Sequence, residues 1–138
     1  MADGRTRGPF LTSMAMLLGL LTVSNFTKVF QHQSDPKTLG IVVFGTRFES
    51  VLANAIVGPA MGIVVGTYAY GLWMQRRWVA PLSIVYAFYV PANIALFWYR
   101  QTDPDVPSLA FIVGYLAIAL GGSIGTALYL AYHPEKLD

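Results

Sequence analysis

The chain has 138 residues, of which 55% are hydrophobic and only 12% are charged. A soluble domain carries about 25% charged residues, so this composition excludes an ordinary soluble surface and indicates a membrane protein. A net charge of +2, with basic residues scattered between apolar blocks, argues against a nucleic-acid partner. Because the sequence contains no cysteine, disulfide and thiolate chemistry are excluded as well.

The first predicted element is a membrane-spanning helix at residues 9–29. A bilayer core is about 30 Å thick, so a spanning helix needs roughly 20 apolar residues. No charge falls between Gly8 and Thr27, while Arg5 and Arg7 precede this stretch, as basic residues also precede the apolar part of a secretory signal peptide. Since no A-x-A-like cleavage site follows the apolar run, we expect a span that is retained.

The connection between spans one and two, residues 28–49, is the longest in the chain. Within it, Ser34-Asp35-Pro36 is typical of a helix start with proline in the first turn. Residues 39–45 read LGIVVFG, which is apolar but too short to cross a bilayer, so we expect a short interfacial segment here. Arg47 and Glu49 follow at a predicted helix start; Glu49 either is exposed at the interface or pairs with a basic side chain across the outer surface.

Three further stretches are uncharged through their cores and predict spans at residues 48–75, 78–99 and 106–132. Arg76 and Arg77 alone separate spans two and three, which requires a tight antiparallel turn. Spanning strands are excluded, because an open sheet leaves backbone groups unsatisfied in lipid and the segments are too few for a closed barrel. We therefore predict an all-α integral membrane fold, a four-transmembrane-helix bundle with an additional short interfacial segment in the first loop, as one domain over residues 1–138.

The distribution of lysine and arginine favours cytoplasmic N- and C-termini. In that orientation the cytoplasmic side holds Arg5, Arg7, Arg76, Arg77 and Lys136, and the outer side holds Lys28, Lys37, Arg47 and Arg100. The difference is small, but the paired arginines in the shortest loop and the basic N-terminus both follow the positive-inside pattern. The block YAYGLWMQRRWVAPLSIVYAFYVPAN, residues 68–93, resembles small bacterial membrane proteins that carry no assigned activity. We therefore expect a location in the bacterial inner membrane.

Small residues recur at every fourth position in spans two and four: Gly58, Gly62 and Gly66 in the first, and Ala117, Gly121 and Gly125 in the second. Such stripes allow another helix to approach closely. Two interpretations follow from them. Either spans two and four pack together, which we favour, or one of them mediates self-association.

Polar side chains inside the spans give the second candidate site. From a rise of about 1.5 Å per residue, Asn25, Asn54, Asn93 and Tyr115 are all expected in the outer half of the bundle, with Glu49 near its rim. Intramembrane polar groups are costly and tend to face the interior. The functional interpretation is a polar pocket, open to the outer face, that binds a small lipid-like molecule. The alternative is a set of interhelical hydrogen bonds that only holds the bundle together.

Four tyrosines, Tyr68, Tyr70, Tyr86 and Tyr89, are expected as an aromatic group in the inner half. We favour ordinary core packing, with the hydroxyl groups bonded to the backbone. The alternative is an aromatic-lined cavity for a flat or polyene ligand.

Catalytic and metal-binding signals are not found in the sequence. His32 and His133 lie on opposite sides in the predicted topology, so they cannot share a metal or haem. We therefore expect no metal, no cofactor and no catalytic residue, and a non-enzymatic protein of the lipid bilayer. It would act through helix packing, as a homo-oligomer or within a larger membrane complex. The alternative is a binder or carrier of a small lipid-like molecule; an enzyme of lipid or isoprenoid chemistry has the least support.

Overall fold

The computed structural model of the protein describes residues 7–34, 41–100 and 108–138. These residues form four α-helices: α1 (Pro9–Ser34), α2 (Val51–Trp73), α3 (Val79–Arg100) and α4 (Leu109–Tyr132). Each helix contains a stretch long and apolar enough to cross a membrane, which confirms the predicted set of four helices of spanning length. A short 3₁₀ turn, Pro134–Lys136, follows α4.

The helix ends differ from the predicted ones by a few residues. α2 begins at Val51 because Ser50 caps it, its side chain accepting a hydrogen bond from the Ala53 N–H at 3.0 Å. α1 continues past the predicted end at residue 29 and reaches Ser34. Ser34, expected to begin a helix, is thus the last residue of α1, and the rest of that expected helix start lies outside the described residues.

A β-hairpin forms at residues 42–47, in the loop between α1 and α2. β1 (Val42–Val43) pairs antiparallel with β2 (Thr46–Arg47), and Phe44 and Gly45 form the turn between them. Both turn residues have positive φ, 48° and 72°, as a two-residue type I′ hairpin turn requires. The sequence predicted a short interfacial segment here, but it did not predict that the segment would form a hairpin. The β-branched residues on either side of the turn favour the strands.

The helices pack mainly as two pairs, α1 with α2 and α3 with α4. The α1–α2 contact follows the glycine stripe of α2. A Cβ added at Gly58 would lie 2.6 Å from the backbone oxygen of Asn25, and one at Gly62 would lie 2.7 Å from the Phe26 ring. Gly66 meets α1 in the same way. These glycines therefore allow the two helices to approach more closely than larger side chains would permit.

The expected packing of α2 against α4 is wrong, because the backbones of the described parts of these two helices do not approach each other closely. The stripe of α2 is covered by α1 instead. In α4, Gly125 faces Phe10 of α1, with the Phe10 Cζ 3.5 Å from an added Cβ. Equal spacing of small residues shows where a close approach is possible, but it does not select the partner helix.

The buried apolar core lies at the end of the bundle that carries the α2–α3 turn, called here the turn end. Its buried members include Leu11, Leu72, Val79, Leu130 and Leu137. The segment after α4 folds back onto this turn: the Asp138 N–H donates to Gln75 O at 2.6 Å, and the Arg77 N–H donates to Asp138 O at 2.7 Å. The other end, where the β-hairpin lies, is called the hairpin end.

Candidate functional site

Asn54, near the start of α2, ties the hairpin to that helix. Its side chain is completely buried. Its Oδ1 accepts a hydrogen bond from the Ile41 N–H at 3.0 Å, and its Nδ2 donates to Phe48 O at 2.7 Å and to Ser50 O at 3.0 Å. The amide thereby satisfies backbone groups on both sides of the hairpin, as buried polar groups require.

Asn93 makes the corresponding connection from α3. Its Oδ1 accepts a hydrogen bond from the Gly45 N–H at 2.8 Å, and its Nδ2 donates to Val42 O at 3.3 Å. The turn lies so close to α3 that a Cβ at Gly45 would be 2.7 Å from the Phe97 backbone nitrogen and closer still to Leu96. Position 45 therefore needs glycine for two reasons, its positive φ and this close approach.

Arg100, the last residue of α3, completes the attachment of the hairpin. Its Nη1 donates to Thr46 Oγ1 at 2.8 Å and to Phe44 O at 3.3 Å. Phe44 has a backbone conformation that is uncommon for a bulky residue. The hydrogen bonds of Arg100 and Asn93 hold the turn in that conformation.

The structure brings Asn25, Asn54 and Asn93 towards the hairpin, although in different ways. Asn25 is buried on α1, and a Cβ at Gly58 would meet both its backbone oxygen and the side chain of Ile41. Glu49 is exposed just before α2, and Tyr115 is half exposed on α4. Because the amides of Asn54 and Asn93 bind the hairpin backbone, these two residues attach the hairpin to α2 and α3.

An apolar cleft of about 220 Å³ lies between α2 and α3, beneath the hairpin. Its lining atoms are apolar. The lining residues belong to the hairpin, α2 and α3: Val43, Phe44, Met61, Val64, Val65, Leu82, Val85, Tyr86 and Tyr89. Tyr86 and Tyr89 belong to the tyrosine group for which the sequence offered an aromatic-lined cavity as the alternative. The sequence did not predict the hairpin that covers the cleft, because its only recognisable signal is a glycine between β-branched residues.

Aromatic rings run along the same region. The ring centroids of Tyr68 and Tyr86 are 5.2 Å apart, those of Tyr86 and Tyr89 are 6.4 Å apart, and Phe44 meets Tyr89 edge-on at 5.4 Å. Tyr70 is 57% exposed and stands apart from this row. Of the four tyrosines that the sequence grouped together, three therefore form a row, and Phe44 extends it towards the hairpin.

Part of the small-residue face of α4 is uncovered. Gly114, Ala117, Gly121 and Gly125 share one face of the helix by its periodicity. Among the described residues, no heavy atom lies within 4 Å of a Cβ built at Gly114 or Gly121, whereas Gly125 is covered by Phe10. Within the described ranges, the face is thus covered near the turn end and open at Gly114, Ala117 and Gly121.

The turn end carries charged side chains at its surface. The Arg7 guanidinium lies 3.7 Å above the Trp73 ring, and both arginines of the α2–α3 turn are exposed. The Nδ1 of His133 lies 3.0 Å from Glu135 Oε1. The hydrogen bond from its own backbone N–H, and then the one from His133, lower the pKa of the exposed Glu135 carboxyl.

Comparisons of the chain with protein-family models, with curated proteins and with solved structures give no match. Within the described ranges, no group of three or more histidine, aspartate or glutamate residues is placed to hold a metal ion.

Proposed function

We propose that the protein is a non-enzymatic, multi-pass integral membrane protein that acts by associating through α4 with a second copy of itself or with another membrane subunit. The observation that carries this proposal is the open small-residue face of α4 at Gly114 and Gly121. Small residues let helix backbones approach closely, and helix association in lipid depends on such packing. A partner helix on this face would gain contacts that lipid chains make less well.

The contrast with α2 supports this choice. The glycine stripe of α2 is already occupied by α1, through Asn25 and Phe26. In α4 the exposed residues beside the open glycines are apolar, with Val113 57% and Ile118 66% exposed. The α4 face therefore has the composition of a helix interface but lacks a partner within the described parts of the chain.

The alternative function, binding of a lipid-like molecule in a polar pocket at the hairpin end, has less support. Asn54 and Asn93 would have lined that pocket, but their amides bind the backbone of the hairpin. A ligand in their place would have to break these bonds.

For the location we propose the bacterial inner membrane, with the turn end on the cytoplasmic side. Arg7, the two arginines of the α2–α3 turn and Lys136 are at this end, together with the segment that follows α4. Basic residues concentrate on the cytoplasmic side of membrane proteins. In this orientation the hairpin faces the opposite side of the membrane.

Cross-linking in native membranes tests the association directly, because the natural sequence has no cysteine. Ala117→Cys places a single thiol on the open face of α4, and a thiol-reactive photo-cross-linker attached there should capture a second copy or another subunit. Ile63→Cys, on an exposed position of α2, is the matched control and should capture neither. The added substitution Gly121→Leu should abolish capture from Ala117→Cys, while Gly19→Leu, a glycine of α1 with free space around it, should not.

Two results would contradict the proposal. One is the absence of any protein captured from Ala117→Cys. The other is capture that survives Gly121→Leu unchanged, because the added side chain would then not touch the interface.

A further inference from the structure

We infer that the cleft between α2 and α3 binds one acyl chain of an anionic membrane phospholipid, whose phosphate lies against Arg100 at the hairpin. The site is separate from the open face of α4, so it goes beyond the association proposed above. Three observations support it. They are the apolar lining of the cleft, its position between two exposed helix surfaces, and the hydrogen bond from Arg100 to the turn that covers the cleft.

The cleft is closed at both ends along the helices. Towards the turn end, Leu82 and Tyr86 pack against the buried core. Towards the hairpin end, Val43 and Phe44 cover it. Between these limits α2 packs mainly on α1 and α3 mainly on α4, so the residues that the structure describes do not fill the space between α2 and α3.

The occupant of such a space is a hydrocarbon rather than water. A buried water needs two to four polar partners, and apolar cavities of about 150 Å³ stay dry while accepting small apolar molecules. The cleft is larger, about 220 Å³, and its lining atoms are apolar. Its walls include Val64, 55% exposed, and Val85, 63% exposed, so it opens on a surface that faces lipid chains in the proposed membrane arrangement.

The charge of the head group follows from Arg100. Its guanidinium donates a hydrogen bond to the backbone oxygen of Phe44, the residue that covers the cleft, at 3.3 Å. Exposed Trp98 and Tyr99 precede Arg100, and such rings mark the level of the lipid head groups. An arginine binds phosphate through paired N–H donors, so an anionic lipid can place its phosphate on Arg100 and one chain beneath Phe44.

The backbone of Phe44 supports a binding role for the turn. A bulky residue in the left-handed region is strained, and such strain persists where the surrounding structure holds it and often marks a ligand contact. Here the strained residue is the one that places an aromatic ring on the cleft.

The test is retention of lipid after reconstitution. The purified full chain is placed in nanodiscs that contain equal amounts of phosphatidylglycerol and phosphatidylcholine, transferred to a mild detergent, and examined by native mass spectrometry. The wild type should retain one phosphatidylglycerol per chain in preference to phosphatidylcholine. Val85→Trp, which fills the cleft from an exposed position, should reduce retention at least tenfold, and Val64→Trp should do the same from the opposite wall.

Arg100→Gln should keep one lipid bound but lose the preference for phosphatidylglycerol. Matched controls are Val23→Trp at an exposed position of α1 and Arg77→Gln at the turn end, which should change neither retention nor preference. Thermal unfolding of each variant, followed by circular dichroism, identifies any variant that has lost the fold. If one of the two cleft variants, Val85→Trp or Val64→Trp, has lost it, lipid retention by the other tests the cleft.

The inference is overturned if the wild type retains no lipid, or if folded Val85→Trp and Val64→Trp retain it as the wild type does. An unchanged preference in Arg100→Gln would overturn the assignment of the head group. Inorganic phosphate in excess should not displace the lipid, because the acyl chain supplies most of the contact; complete displacement would mean that the site binds a free phosphate instead.

Discussion

Removal of the Asn54 side chain should detach the hairpin from α2. In Asn54→Ala the buried Ile41 N–H loses its acceptor and the Phe48 carbonyl loses its donor, whereas Ser50 O keeps the bond from the Asn54 backbone N–H at 3.1 Å. Each buried group left without a partner costs about 1–3 kcal/mol, so the two together cost roughly 2–6 kcal/mol. Because Phe48 is only half-buried, water can reach its carbonyl, and we expect a loss near the lower limit, about 2 kcal/mol.

The assay is reversible unfolding in mixed micelles, with the change in unfolding free energy followed by circular dichroism. Hydrogen exchange of the Ile41 amide reports the same bond locally and should become faster in Asn54→Ala. Thr67→Ala is the matched control on α2, because its hydroxyl bonds only within its own helix, to Ile63 O at 2.7 Å. A loss below about 0.5 kcal/mol, with exchange at Ile41 unchanged, would refute the reasoning.

The remaining predictions concern glycines and the segment after α4. Gly62→Leu should separate α1 from α2, because the new side chain would meet the Phe26 ring, and the yield of folded protein should fall sharply; a yield equal to that of the wild type would contradict the packing described. Gly45→Val should release the hairpin from Leu96, seen as faster hydrogen exchange at residues 42–47, and unchanged exchange would argue against the close approach. Leu137→Asp should lower the unfolding temperature, since it places a charge in the core at the turn end, and an unaltered midpoint would show that this segment is not part of the core.

The four helices were predictable because their signal is local. A run of about 20 apolar residues without charge identifies a spanning-length helix in any tertiary context. The errors at the ends have local causes too, such as the cap supplied by Ser50 at the start of α2. The periodic small residues of α2 include Gly58 and Gly62, which lie against Asn25 and Phe26 of α1.

The choice of partner helices and the hairpin were not predictable in this way. The stripes of α2 and α4 have the same spacing, and nothing in that spacing indicates that α1 covers the first. Each strand of the hairpin has two residues, too few for a periodic pattern. Its backbone groups are satisfied by Asn54 of α2 and Asn93 of α3, which lie far apart in sequence on either side of the α2–α3 turn. The depth of these asparagines could be estimated from the sequence, but not the groups that they bind.

The central claim, association through α4, is tested most directly by native mass spectrometry of the wild-type protein extracted from its own membrane in mild detergent. We predict that the chain emerges bound to a second copy or to another membrane subunit, and that Gly121→Leu emerges as a single chain. A wild-type protein that emerges alone, under conditions in which other membrane complexes stay intact, would contradict the claim.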